Sequence, residues 1–335
     1  MNTMTITMTD VLIENSWDEN SKLKDFILNE SDNGTLFHRP LFMQYHGKDK
    51  FPDIRPIVIS FYKKKSLMAC ITGAVQYIDG IKKFISPFAS SYGGLVYHRE
   101  SSFKDIEDIY LELLEYLHKE YSRIQISSTP SFQSQTGKSQ YIDHILLTKG
   151  FSITKSDIIL VHELDAEEKL QSRVHKKTYT ELKQPLYKKK LRLELVAGVD
   201  EDSYGLLLKS QERLQSKPTH SYKELQTIEN LLPGTIQTFK TYLDDNFIAG
   251  IIVFRVNDCI LSTFYVFDTP EGRALKANHF TYYNVLTNAF QNNYKYLDFG
   301  PSTFGWRPNY PLISFKEKFD GKPFLRNIFE KNNSL

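Results

Sequence analysis

The chain has 335 residues, of which 41 % are hydrophobic and 13 % aromatic, and its formal net charge is +2. This length suggests about two domains with packed cores. The nearly balanced charge excludes a surface that is basic throughout, so we expect no binding of extended DNA. No window approaches the ~18 apolar residues of a membrane span, and the first residues lack the basic and apolar regions of a signal peptide, so we expect a cytoplasmic protein.

The first half of the chain is interpreted as helices, then strands, then a longer helix and a further strand. Residues 17–30 have helical periodicity, and a short helix opens at Pro40. Two apolar runs flank Lys63–Lys65 and predict a β-hairpin. Residues 101–121 carry apolar positions at helical spacing and predict a long amphipathic helix. The predicted strands of this half are 54–62, 66–78, one strand within 82–97, and 123–132.

The second half has clearer patterns. Residues 191–198 alternate between apolar and polar side chains and end in glycine, which predicts a strand. Two helices follow, and the second is opened by Ser221 and stopped before Pro233. Asp244–Asn246 is typical of a hairpin turn. The predicted elements of this half, in order, are a strand at 191–198, helices at 200–214 and 221–232, strands at 235–243, 247–256 and 259–268, a loop at 271–278, a helix at 279–293 and a strand at 295–300.

This order is informative because three hairpin-linked strands are followed by a crossover helix and a strand expected to lie parallel to the third. It resembles the layout of GNAT acyltransferases, although other α+β folds can share it. The first half repeats the order more loosely, and residues 121–132 (YSRIQISSTPSF) resemble residues 294–305 (YKYLDFGPSTFG). We predict an α+β protein of two tandem GNAT-like domains, each a mixed, mainly antiparallel sheet flanked by helices. The predicted domains are 1–165 and 166–335, with the transfer site in the second.

The triplet Asp298-Phe299-Gly300 matches the magnesium-binding motif of protein kinases. A kinase also needs an H-R-D-x-x-x-x-N loop before this triplet, and the preceding helix contains none. Only residues 301–335 follow, which are too few for an activation loop and a helical lobe. The kinase interpretation is therefore excluded, and the triplet needs another explanation.

Several segments together resemble one family, the FemAB-like transferases, including their acetyltransferase branch. The resemblance covers residues 37–325 and depends on the order and spacing of the segments. It implies two GNAT domains and N-acyl transfer, from acyl-CoA or aminoacyl-tRNA, onto an amine of a cell-wall precursor or sugar. The segments are SPFASSYGGLVY (86–97), the basic run at 173–195, KPTHSYKEL (217–225), FYVFDT (264–269), LDFGPST (297–303) and FKEKFDGKP (315–323).

Two residues are candidates for the catalytic step. GNAT domains build the transfer site where two strands part, which here are the predicted strands 259–268 and 295–300. Tyr265 lies on the first, and Asp298 on the second could orient or accept the proton of the amine. The alternatives are structural: Asp298 can bond the following turn and position Gly300, and Tyr265 can be an ordinary hydrogen-bonded tyrosine of a sheet.

The candidates for donor binding lie before the helix at 279–293. A helix N-terminus attracts anions, and Arg273, Lys276 and Asn278 surround this one. The loop 271–278 departs from the usual Q/R-x-x-G-x-G/A pattern, since it lacks the glycines that bring backbone N–H groups to a pyrophosphate. Lys316 would lie near the same cleft if the final hairpin follows the family, and a solvated strand lysine is the alternative.

The acceptor candidates are more scattered. The resemblance implies that the loop containing Ser91, Tyr92 and Gly93 faces the acceptor groove, whereas its glycine pair also suits a tight turn. The run Lys169 to Arg192 holds nine Lys or Arg and one acid, Glu181, so it could hold a diphosphate or tRNA, or form a solvated helix face. The remaining acceptor candidates are Lys176 within that run, Lys217, His220 and Asp268.

These observations favour an N-acyltransferase that forms an amide on an amine of a cell-envelope precursor or amino sugar. No tightly bound cofactor is expected, with acyl-CoA or aminoacyl-tRNA as co-substrate and a nucleotide-linked sugar or peptide as acceptor. Cys70 and Cys259 lie in apolar runs and indicate reduced core residues, and no spacing of His, Cys, Asp and Glu suggests a metal. The alternative is a catalytically inactive GNAT-like protein that binds a sugar nucleotide.

Overall fold

The computed structural model describes residues 10–164, 172, 174–182 and 191–333. They form two compact units: one contains the described residues up to Ser156 and those from Leu325 onward, and the other runs from Asp157 to Phe324. The predicted domain limits, 1–165 and 166–335, differ from these units in two places, because the boundary lies after Ser156 and the residues from Leu325 onward belong to the first unit. The last strand returns to the first unit because it pairs with a strand there, and such a long-range pairing leaves no local sequence pattern.

The first unit is a mixed sheet covered by helices. Its strands pair in the order β1-β2-β3-β4-β6-β15, and β5 pairs with β3. All neighbours are antiparallel except β4 and β6, which are parallel. The strands are β1 (Asp10–Glu14), β2 (Ile54–Lys63), β3 (Ser66–Ile78), β4 (Ile81–Ser86), β5 (Leu95–Tyr97), β6 (Arg123–Ser127), the start of β7 (Ser152–Glu163) and most of β15 (Lys322–Asn332).

The helices of this unit are α1 (Ser21–Asp25), α2 (Pro40–Met43), α3 (Gly47–Lys50), α4 (Phe103–Glu120) and α5 (Ser139–Thr148). The predicted helix 17–30 is therefore shorter than expected, because Asn20 caps α1 and a π-helical turn, Phe26–Glu30, follows it. The long helix is confirmed as α4, opened by a capping box of Ser102 and Asp105. Its apolar stripe, including Ile109 and Leu113, packs on the sheet and forms the core of the unit.

The second unit has the same kind of sheet, with strand order β7-β12-β11-β10-β9-β8. Within it only β11 and β12 are parallel. Its strands are β8 (Leu191–Ala197), β9 (Ile236–Leu243), β10 (Asn246–Arg255), β11 (Ile260–Asp268) and β12 (Tyr296–Pro301), with a small hairpin of β13 (Thr303–Phe304) and β14 (Arg307–Pro308). Its helices are α6 (Lys176–Leu182), α7 (Glu201–Arg213), α8 (Tyr222–Leu231), α9 (Pro270–Ala274), α10 (Ala277–Gln291) and α11 (Tyr310–Glu317).

Two local predictions in this unit are wrong. Residues 271–278 are not a loop throughout, because Thr269 caps a short helix, α9, with Pro270 at its first position. Lys316 does not lie on a strand, because the Asn309 side chain accepts from Leu312 N and opens the helix α11. None of the helices in the described part of the chain is long and apolar enough to cross a membrane.

Candidate active site

Two strands of the second unit part in the middle of the sheet. The parallel ladder between β11 and β12 pairs Ile260 with Tyr296 and ends at Ser262 and Asp298. Strand β11 then continues beside β10 as far as Asp268. Strand β12 bends away at a bulge and meets β7 again at Pro301. The gap between the two strands lies where the sequence predicted the transfer site.

A second bulge lies on β11 just beyond the point where the strands part. Thr263 and Tyr265 face consecutive residues of β10, so Phe264 is the extra residue on this strand. Bulges redirect side chains and are frequent beside active sites. Here the bulge brings the rings of both Phe264 and Tyr265 to His220, with centroid distances of 5.3 and 6.0 Å.

A cavity of about 270 Å³ opens beside the end of β11, next to the first turn of α10 and to α11. One side of it is apolar and the other is polar. The apolar side is formed by Val266, Tyr282, Leu312 and Phe315, and the polar side by Asp268, Arg273, Lys276, Asn278 and His279, with Gly272 between them. Four predicted site residues therefore meet here, and Asp268 lies among the donor candidates rather than with the acceptor candidates.

The polar side is organised around Asp268. Its Oδ1 accepts a hydrogen bond from Arg273 Nη2, and its Oδ2 accepts one from Asn278 Nδ2, both at 2.8 Å. Because a carboxylate only accepts, these bonds fix the amide of Asn278 with Oδ1 directed elsewhere. That Oδ1 is buried and has no hydrogen-bond partner among the described residues. It is thus a hydrogen-bond acceptor with unused capacity on a residue that lines the cavity.

The segment before α10 contains two backbone features that the expected glycines would otherwise supply. Gly272 allows its backbone to pass close to that of Ile248, because a Cβ at this position would lie 2.2 Å from the Ile248 carbonyl oxygen. Lys276 supplies the left-handed conformation, with φ of +54° at the N-cap of α10, at a cost of about 1 kcal/mol. Lys276 therefore places an exposed cation at the N-cap of α10, in a backbone conformation that glycine adopts most easily.

Asp298 and Lys316 lie together under the turn that ends β12. Asp298 is 1 % exposed, and its Oδ1 accepts from Gly300 N at 2.6 Å. Lys316, 2 % exposed, donates from Nζ to the carbonyl oxygens of Gly300 and Pro301 and to Ser302 Oγ, at 2.8 to 2.9 Å. Burial lowers the pKa of Lys316 to about 7, against the opposing effect of the Asp298 charge.

This arrangement makes both residues clamps of the turn. Gly300 has φ of +71°, and the Asp298 carboxylate and the Lys316 amine hold it from either side. Neither residue lines the cavity. The structural alternative for Asp298 is thus present in the molecule, while its part in proton transfer stays a prediction.

Tyr265 and His220 form a separate buried cluster. The Tyr265 hydroxyl lies 2.7 Å from His220 Nδ1 and from Thr219 Oγ1, and it accepts from His220 N at 3.1 Å. Burial raises the pKa of Tyr265 to about 12, so the phenol stays protonated at neutral pH. Alternate side chains of a strand face opposite sides, so Tyr265 points away from the side of Val266 and the cavity. Lys217 is exposed on the loop leading to this cluster.

The first-unit candidates lie in a tightly held loop. Tyr92 is buried, and a Cβ on Gly93 would lie 2.2 Å from the Pro87 nitrogen. The Gly93 carbonyl accepts from His38 Nε2 at 3.1 Å. Burial lowers the pKa of His38 to about 4, so this ring is neutral and its Nε2–H donates. Ser91 is half-buried, and the role of all three candidates in acceptor binding stays a prediction.

The basic run is only partly visible. Lys169, Arg173 and Lys183 lie outside the described residues, whereas Lys176 and Lys177 are exposed on α6. Lys176 therefore stays a predicted acceptor contact with no further support from its surroundings. Among the described residues no cluster of His, Cys, Asp and Glu could hold a metal ion.

The sequence interpretation missed the apolar half of the cavity and His279. His279 and Tyr282 are three residues apart in one helix, and Leu312 and Phe315 are three apart in another. Residues at this spacing share a helix face, so the pairs were recognisable once the second helix was known. The mistaken strand around Lys316 concealed Leu312 and Phe315.

Residues 212–308 match the family model of an acetyltransferase (GNAT) domain, a range that contains β11, α10 and β12. Among solved structures the chain is similar to FemX, with a TM-score of 0.68 and 11 % identity over 97 % of both chains. The predicted GNAT-like fold is confirmed. The chain thus carries an acyltransferase domain within a fold of two tandem GNAT-like units.

Two further structures support that fold. A tandem GNAT protein from the clavulanic acid biosynthesis pathway matches with a TM-score of 0.53 and 11 % identity, over 96 % of this chain and 98 % of that one. L-PGS from Bacillus licheniformis matches with a TM-score of 0.52 and 11 % identity, over 94 % and 92 %. No curated protein sequence matches the chain.

Proposed function

We propose that the protein is an N-acyltransferase that forms an amide on an amine of a cell-envelope precursor or amino sugar. The observation that carries the proposal is the gap between β11 and β12, together with a cavity of about 270 Å³ that lies beside the end of β11 and the first turn of α10. An acyl group in this gap and an anion at the helix N-terminus are the two ends of an extended donor such as acyl-CoA. We predict that the reaction takes place in the cytoplasm.

The cavity suits a donor of this kind residue by residue. Asn278 Oδ1, the buried acceptor without a partner among the described residues, can receive an amide N–H of the donor arm. Lys276 and the N–H groups of α10 can hold its phosphates. Arg273 is already paired with Asp268, so phosphate has to compete with a carboxylate there. The aminoacyl-tRNA donor rests on the FemAB-like resemblance alone.

The chemistry needs few groups. The amine attacks the donor carbonyl carbon, a C–N bond forms, and the carbonyl oxygen becomes an oxyanion that backbone N–H groups of β11 beyond Ser262 can stabilise. The intermediate then expels the donor's thiolate or alkoxide, and the nitrogen releases a proton. Tyr282 lines the cavity and shares a hydrogen bond with Thr263, and burial raises its pKa to about 12. Its protonated phenol is our candidate for the proton donor to the leaving group.

The experiment is calorimetric titration with acetyl-CoA, followed by mass spectrometry of reactions with amino-sugar nucleotides. We expect saturable binding and an acceptor heavier by one acetyl group. Tyr282→Phe should lower the rate about a hundredfold with binding retained, whereas Lys209→Ala, an exposed site on α7 outside the cavity, should change neither. Binding without product for any amine acceptor would favour the inactive alternative, and absence of binding to both acetyl-CoA and aminoacyl-tRNA would contradict the proposal.

Asp298→Asn tests the earlier catalytic prediction separately. Asparagine Oδ1 can still accept from Gly300 N, so the turn should persist and the fold should remain intact. A lower transfer rate with unchanged donor affinity is expected if the carboxylate acts on the amine proton. An unchanged rate would leave Asp298 as a positioning residue of the turn.

A further inference from the structure

The most exposed aromatic side chains of the second unit lie close together, on the hairpin after β12 and the start of α11. Phe304 is 73 % exposed, Trp306 65 % and Tyr310 73 %. We call these three residues the aromatic knob. Most large apolar groups of a folded protein are buried, and several exposed ones side by side mark a contact surface.

The knob is held in place by its base. Phe304 pairs with Arg307 across a two-residue turn, in which Gly305 has φ of +60°. At the foot of the hairpin Asn309 N donates to Ser302 O at 2.9 Å. Thr303 Oγ1 donates to Asp157 Oδ1, also at 2.9 Å. The aromatic rings are therefore presented on an ordered hairpin.

The shape of the knob decides what kind of partner it suits. Small ligands bind in concave sites that cover most of their surface. Side chains exposed by two thirds or more protrude instead, so they cannot enclose a sugar or a base. A protruding apolar group is buried only when it enters a soft or complementary surface.

Charge and composition favour a membrane surface. Between Pro301 and Lys316 the sequence has no acidic residue, and Arg307 is exposed beside the rings. Tryptophan and tyrosine prefer the interface between lipid headgroups and acyl chains, where their rings are buried and their polar atoms stay hydrated. An arginine next to them is attracted to anionic headgroups.

We propose that the aromatic knob docks the protein on an anionic lipid bilayer, with Phe304 and Trp306 entering the interface and Arg307 contacting lipid phosphates. The hairpin of the knob follows β12, and Tyr310 is the first residue of α11. Helix α11 also contributes Leu312 and Phe315 to the donor cavity. Docking would therefore hold the transfer site near the membrane surface, where a lipid-linked amine is the acceptor it would favour. That choice of acceptor rests on the proposed function, whereas the docking itself does not.

Vesicle co-sedimentation tests the docking without any reaction. With phosphatidylglycerol at roughly 30 % in phosphatidylcholine, we expect the full chain to bind. The double variant Phe304→Ser with Trp306→Ser should bind about tenfold more weakly, and Arg307→Gln about fivefold more weakly. Leu214→Ser removes another apolar side chain of the same unit, 55 % exposed, and should leave binding unchanged.

The fluorescence of Trp306 gives an independent measure, because the chain has only one other tryptophan, Trp17. Binding should shift the emission to shorter wavelength, and brominated lipid should quench it. Trp306→Phe keeps an apolar ring, so it should still sediment with vesicles while losing the shift. No binding to anionic vesicles, or binding that the hairpin variants leave unchanged, would overturn the docking proposal. Neither result would alter acetyl-CoA binding, so the two proposals fail separately.

Discussion

Each unit contains two parallel strands joined by a crossover helix, β4 and β6 in the first unit and β11 and β12 in the second. The two pairs differ in what lies at their ends. In the second unit, β11 continues alone beside β10 after its ladder with β12 ends, and a cavity opens beside it. In the first unit, β4 stops at Ser86, still paired with Ile126 of β6. The chain then returns as β5, which takes up pairing with β3.

The loop between β4 and β5 occupies the space at the end of the β4–β6 pair. Gly94 N donates to Ser86 Oγ at 3.0 Å, and the neighbouring Gly93 packs against Pro87. One topology therefore gives a closed end in one unit and an open end in the other. Topology alone does not make a transfer site, because the gap must also be left unfilled by the chain itself.

The largest effect is expected at Gly93, which allows the closed end to pack. A Cβ would lie 2.2 Å from the Pro87 nitrogen, an atom of the backbone that cannot move aside alone. Gly93→Ala should lower the free energy of unfolding by about 3 kcal/mol, as measured by urea denaturation. Gly205→Ala in α7 has open space around it and should instead stabilise by about 0.5–1 kcal/mol. Equal effects of the two substitutions would contradict tight closure.

The two ends are also clamped by different bases, and this gives them different pH responses. His38 holds the closed loop with a pKa lowered to about 4 from 6.5, and Lys316 holds the open turn with a pKa lowered to about 7 from 10.5. Between the pKa of each group in the folded chain and its ordinary pKa, the unfolded chain binds more protons than the folded chain. The free energy of unfolding therefore rises with pH there by up to about 1.4 kcal/mol per pH unit. The contribution of His38 is lost as pH falls from 6.5 to 4, and that of Lys316 as pH falls from 10.5 to 7.

The variant Lys316→Met isolates the part of the pH-dependent stability that Lys316 contributes. Between pH 7 and pH 9 we expect wild-type stability to rise relative to this variant, because methionine cannot titrate. Urea denaturation at a series of pH values measures the difference. Parallel pH profiles of the two proteins would mean that the amine of Lys316 is charged in the fold, contrary to its burial.

A smaller effect is expected from the unpaired amide oxygen of the open end. Asn278→Ala removes the buried Oδ1 and releases Asp268 from one of its two partners. Acetyl-CoA should bind about tenfold more weakly, measured by calorimetry. Asn284→Ala is the matched control, since Asn284 lies on the same helix and donates to Phe280 O instead. A loss of the same size in the control would indicate a general defect of α10.

The smallest effect separates charge from backbone at Lys276. Lys276→Gly keeps the left-handed conformation and removes the cation, whereas Lys276→Arg keeps the cation. We expect the glycine variant to bind acetyl-CoA about threefold more weakly while becoming slightly more stable. Weaker binding by the arginine variant than by the glycine variant would show that the charge is not what matters.

Much of the second unit was predictable because its signals are local. The turn at Asp244–Asn246, the serine cap at Ser221 and the apolar periodicity of α10 each fix an element within a few residues. The fold followed from their order. The proximity of Asp268, Arg273, Lys276 and Asn278 was predictable because they lie on or beside those elements, and they meet at one cavity. Their part in binding stays a prediction.

The other features depend on contacts that are distant in sequence. Asp298 was expected in the cleft, but its carboxylate accepts from Gly300 N and lies buried near Lys316, a residue of a helix mistaken for a strand. Tyr265 was expected on the reaction side, but the bulge at Phe264 and the loop at His220 draw it into another cluster. Strand β15 pairs with β6 although the two strands lie far apart in the sequence, and no local pattern predicts such a pairing.

The central claim is that the open pair in the second unit, and not the closed pair in the first, receives the acyl donor. Hydrogen exchange measured by mass spectrometry with and without acetyl-CoA tests it directly. We predict slower exchange at residues 263–268 and 273–282, with no change at 83–97 and 123–127. Protection of the first-unit segments, or no protection at either end, would contradict the claim.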